Sequence, residues 1–67
     1  MNVPYGIFNI TLNKWVKDED GKDYIAYDYL AARVDMDNIR LIDEAGFLSG
    51  KKKFKSQFEV REKTIFV

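Results

Sequence analysis

The chain has 67 residues, 46% hydrophobic and 15% aromatic, which limits it to a single domain over 1–67 and makes it too apolar for a disordered chain. It contains no cysteine and no histidine, so disulfide scaffolds, thiolate zinc sites and the commonest acid-base and nucleophilic groups are excluded. Any catalysis would rest on Asp, Glu and Lys alone; a non-enzymatic role is expected, with no cofactor or metal. The net charge is zero but segregated: residues 1–17 carry +2, residues 18–44 carry nine acids and three bases, and residues 45–67 carry six bases and two acids. An acidic face and a basic face follow from that ordering.

The opening "MNVPYGIFNITL" lacks a basic leader, and no apolar run approaches the ~20 residues of a spanning helix, so a cytoplasmic protein is expected. Pro4 and Gly6 mark the entry to a first strand. In "IFNITLNKWV", Phe8, Ile10, Leu12 and Val16 alternate with Asn9, Thr11 and Asn13, the period of a half-buried strand. The stretch "KDEDGKDYIAYDY" then offers Asp20-Gly21, a preferred two-residue hairpin turn. With that turn, position i faces position 41 − i, so Val16 meets Ile25, Leu12 meets Tyr29 and Ile10 meets Ala31. One face would then hold Phe8, Ile10, Leu12, Val16, Ile25, Tyr27, Tyr29 and Ala31, with a second strand over 23–31. Trp15, Tyr24 and Leu30 would need cover on the other face. A rival reading makes "DYIAYDYLAARVDM" one helix, because Tyr24, Tyr27, Ala31 and Val34 recur at helical spacing.

From Asp35 the period becomes helical. Asp35 or Asp37 can cap a short acidic helix through "DMDNIRLIDEA", with Met36, Ile39 and Ile42 on one stripe and Gly46 at its end. "SGKKKFK" reads as a basic loop, and "FKSQFEV" alternates Phe54, Phe58 and Val60 as a third strand. Parity breaks near Glu62, leaving "TIFV" beyond a bulge or as a separate tail strand. The expected fold is α+β in the order β-β-α-β: a three-stranded antiparallel sheet with one helix, self-associating because its core is small.

Two motifs have plain readings. "DEDGKD" cannot be an EF-hand loop, since Gly21 at the sixth position would place Val16 at the first, where an oxygen ligand is required. "GKKKFKSQ" is a solvated loop guarding an edge strand, or a phosphate-binding patch in which Lys51, Lys52, Lys53 and Lys55 contact the backbone and Phe54 stacks on a base.

Several of these features together resemble the small uracil-DNA glycosylase inhibitors of protein-primed Bacillus phages. The resemblance covers about residues 8–40: an acidic run ending in Asp20-Gly21-Lys22, then Tyr24 and Tyr27, then the acidic-apolar-acidic triplet Asp35-Met36-Asp37 followed by Ile39. It implies a homodimeric DNA mimic that blocks a host uracil-DNA glycosylase in the host cytoplasm. By position it implies that Met36 lines an apolar pocket for a probing leucine, that Asp37 stands in for a phosphate, and that Tyr24 and Tyr27 lie near the dimer contact. The alternatives are a nucleic-acid-binding module using Lys51–Lys55 and a dimeric adaptor for another phage or host protein.

Overall fold

The computed structural model describes residues 3–63. The elements are β1 (Tyr5–Asn9), β2 (Lys14–Trp15), α1 (Tyr29–Leu48) and β3 (Phe58–Glu62). They form one antiparallel sheet of order β2-β1-β3 with one helix, the α+β class and element order expected. The residues that supply the second strand, however, are not those expected.

The run 7–16 is not one strand. It folds back on itself, pairing Phe8 with Trp15 and Asn9 with Lys14. The asparagines read as solvent-facing strand positions instead make the turn: Asn9 Oδ1 accepts the Leu12 N–H at 2.9 Å, and Asn13 takes a left-handed φ of 56°. Both are habits of asparagine in turns. Thr11 Oγ1 also accepts the Gln57 N–H, tying the turn to the segment before β3.

The Asp-Gly turn forms, but with one more loop residue. Asp18 N–H donates to the Lys22 carbonyl and Gly21 N–H to the Asp18 carbonyl, while the Asp18 carboxylate accepts the N–H groups of Asp20 and Lys22. Gly21 is left-handed at φ 81°, so the connection is a three-residue loop with a glycine bulge. The register slips accordingly to Lys17 opposite Asp23. The expected pairs Val16–Ile25, Leu12–Tyr29 and Ile10–Ala31 do not form, and segment 23–31 makes only isolated bridges at Asp23 and Ala26 before entering the helix.

The helix begins at Tyr29 rather than at Asp35 or Asp37, with extended Asp28 at its N-cap. Of the stretch 23–36 that the rival reading makes one helix, residues 29–36 are helical and 23–28 are not. Gly46 lies inside the helix, and Gly50 ends it at φ 83°: Gly50 N–H bonds the Phe47 carbonyl and Lys51 N–H the Gly46 carbonyl, the paired closure of a Schellman motif. β3 starts at Phe58, not Phe54, and runs through Glu62 where a parity break was expected. The tail reading of "TIFV" lies outside the described residues.

The faces of β1 are also the reverse of the expected ones. Ile7 is fully buried, with Ala32 and Met36 of α1 against the same core. Phe8 points the other way, meeting the Trp15 ring edge-on at 5.2 Å. Among the described residues no second layer covers that outer face. The Arg61 guanidinium lies 3.9 Å from the Phe8 ring centroid and the Lys63 ammonium 4.6 Å from that of Trp15, so cation–π contacts and long aliphatic stems provide the cover.

Candidate functional site

The three-residue loop and the middle of α1 enclose a cleft of about 580 Å³. Asp18, Glu19 and Asp20 line it from the loop and Tyr24, Asp35, Asn38, Ile39 and Ile42 from the helix side, with Lys17, the one cation of the lining, paired to Asp23 and shared with the neighbouring cavity. Local sequence explains the placement. The Asp18 carboxylate is consumed in holding the turn, which leaves Glu19 and Asp20 exposed at its tip. Asp35, Ile39 and Ile42 fall on one helical flank because residues three and four apart are neighbours on a helix.

The Tyr24 hydroxyl donates to Asp35 Oδ2, locking the segment after the loop to the helix. Burial first, then this hydrogen bond and the negative charge of Asp35, push the Tyr24 phenol from 10 up to about 12. Behind the hairpin, Asp23 is held below the usual carboxylate range by hydrogen bonds from Lys63 and Lys17, at 2.5 and 3.1 Å. Its charge is therefore compensated, whereas Glu19 and Asp20 have no ion pair among the described residues.

Of the residues singled out in the sequence, the fold brings together Tyr24, Asp35 and Ile39. It separates Asp37, which lies about 200° around the helix from Asp35 at ~100° per residue and faces Arg40 at 4.0 Å. Met36 is 7% exposed and belongs to the core, and within this chain it does not line the cleft. Tyr27 is 57% exposed and does not line the cleft. Ile42, 73% exposed, and the loop tip Glu19-Asp20 are the site residues that sequence reasoning passed over. A helix starting at Tyr29 would have put Ile42 beside Asp35 and Ile39.

The basic loop is partly structural. Lys52 pairs with the buried carboxylate of Asp43, which also accepts the Ser56 N–H at 2.8 Å, and Lys55 lies 5.9 Å from the Phe47 ring centroid. Lys51, Lys53 and Phe54 are exposed. Among the described residues no cluster of acidic side chains could hold a metal ion, and no helix is long and apolar enough to cross a membrane.

Fold and cleft define a small α+β domain with an acidic, apolar-floored surface. No family model, no curated protein and no solved structure matches the chain.

Proposed function

We propose that this protein is a non-enzymatic inhibitor that occludes a DNA-binding enzyme, a host uracil-DNA glycosylase, with its acidic cleft. The observation that carries the reading is the juxtaposition of the uncompensated acids Glu19 and Asp20 with Asp35 around exposed Ile42 and half-buried Ile39. An enzyme that reads DNA presents a basic groove; carboxylates at the cleft rim steer association, and the isoleucines supply an apolar contact that phosphate mimicry alone lacks. The basic-loop reading has less support, because two of its four lysines are engaged within the fold.

Dimerisation belongs to the same reading, and the outer face of α1 supports it. Ala31, Val34, Asn38, Leu41, Ala45 and Leu48 are all exposed and recur at alternating spacings of three and four, the seam of a coiled coil. In an antiparallel pair, Ala31 would lie opposite Leu48, Val34 opposite Ala45, and Asn38 opposite Leu41. Every large side chain then meets a smaller one, and the match is self-complementary as a two-fold interface requires.

Titration of the protein into bacterial uracil-DNA glycosylase acting on uracil-containing DNA tests the function, with DNA binding followed in the same buffer. Saturable inhibition near stoichiometric ratio, weakened by the combined Glu19→Gln and Asp20→Asn variant, is the expected result. Absence of inhibition, or inhibition that tracks DNA binding, overturns the reading.

A further inference from the structure

On the other side of the Ile39–Ile42 ridge lies a second cavity of opposite charge. α1 packs on β1 and β3 and leaves the inner face of β2 uncovered, and the gap is a cavity of about 550 Å³, within the range of about 300–1,000 Å³ typical of small-molecule sites. Val16, Ile39, Ile42 and Phe58 make its apolar wall, and Lys14, Lys17, Lys51 and Lys52 ring it. Trp15 borders the cavity, but its ring is engaged on the opposite sheet face by Phe8 and Lys63. The wall is therefore aliphatic apart from Phe58.

The charges around this cavity do not balance. Asp43 is its one acid, and both its oxygens are taken, one by the Lys52 ammonium and the other by the Ser56 N–H. Lys17 is paired with Asp23. Lys14 and Lys51 are exposed and have no ion pair among the described residues. Uncovered carbon surface thus lies beside two positive charges without a counterion. That combination disfavours a cation and gives a neutral apolar molecule no use for the rim.

We propose that this cavity binds a small amphiphilic anion: an aliphatic body against Val16, Ile39, Ile42 and Phe58, with one carboxylate or phosphate at Lys14 and Lys51. The site does not depend on the inhibitory reading, since it uses the basic side of the ridge and Glu19 and Asp20 take no part in it.

The test is calorimetric titration with decanoate below its micelle concentration, alongside decanol and decyltrimethylammonium, with methyl resonances of Val16, Ile39 and Ile42 followed in parallel. Single-site binding of decanoate is expected, at least about tenfold tighter than decanol, with loss of that margin in the Lys14→Gln, Lys51→Gln double variant and retention in Lys53→Gln. All three positions are exposed, and circular dichroism verifies that the variants are folded. Equal binding of decanol and decanoate, an unaffected double variant, methyl shifts confined to Val34 and Leu41, or no binding at all would each overturn the proposal.

Discussion

Lys52 reaches back across the bare backbone of Gly46 to pair with Asp43, one turn earlier on the helix. A Cβ on Gly46 would lie 3.2 and 3.3 Å from the Lys52 Cδ and Cγ. The stem of a lysine can shift by the few tenths of an ångström this demands, whereas glycine inside a helix costs about 0.5–1 kcal/mol relative to alanine. Gly46→Ala is therefore expected to raise stability by less than about 1 kcal/mol with the ion pair retained, as read from urea unfolding midpoints. A loss of stability would mean that the lysine stem cannot move.

Asp43 itself joins helix, basic loop and the approach to β3. Its removal in Asp43→Ala leaves the buried Ser56 N–H without its acceptor, at a cost of about 1–3 kcal/mol. The hydrogen bond from Lys52 holds the Asp43 carboxyl below its usual range, against the opposing effect of burial and with help from Ser56. A carboxylate depressed in the folded state contributes stability above the unfolded value of about 4 and loses it as pH falls through the folded value. Denaturation midpoints should drop on acidification below about pH 4, and the drop should be shallower in Asp43→Asn.

Trp15 lies directly against Gly6 of the neighbouring strand. A Cβ on Gly6 would fall 2.7 and 2.9 Å from Trp15 Cζ3 and Cε3, and an indole ring held by Phe8 and Lys63 has little room to yield. Gly6→Ala should cost about 1–3 kcal/mol by overpacking. Tryptophan fluorescence should shift in the folded state, since Trp15 is the only tryptophan.

The Tyr24–Asp35 bond sets the cleft wall. Tyr24→Phe should lower stability by about 1 kcal/mol and weaken any inhibition, because Asp35 loses its partner and the segment after the loop loses its tie to α1. The phenol is raised in the folded state, so its contribution is whole below about pH 10 and is lost as pH rises through about 12. Ultraviolet titration of phenolate formation checks this directly: a component with a midpoint near 12 should be present and should vanish in Tyr24→Phe.

Asn13 occupies a left-handed conformation at φ 56°, which glycine adopts freely and β-branched residues resist. Asn13→Gly should leave stability within about 0.5 kcal/mol, while Asn13→Val should cost about 1–2 kcal/mol. Equal stabilities for the two variants would place the turn elsewhere.

Composition and local chemistry by themselves determined the α+β class, the presence of a turn at Asp20-Gly21, a helix through Met36 and Ile39, and a strand around Phe58 and Val60. Those features depend on interactions within a few residues: a glycine that accepts positive φ, apolar positions at helical spacing, alternation along a strand. Tertiary structure alone decided which side of each element faces the core. Asn9 and Asn13 suit an exposed strand face and a turn equally well, and only the pairing of β1 with β3 and the burial of Ile7 select the turn. Once Lys14–Trp15 supplies the second strand, residues 29–34 are free to continue the helix, and Met36 turns inward while Ile42 turns out. The cleft follows from that rotation: two acids placed two apart in sequence part to opposite flanks of the helix, and an acidic loop distant in sequence takes the place beside Asp35. Sequence proximity cannot report such a meeting, because it is made by the packing of α1 on the sheet rather than by the residues that meet.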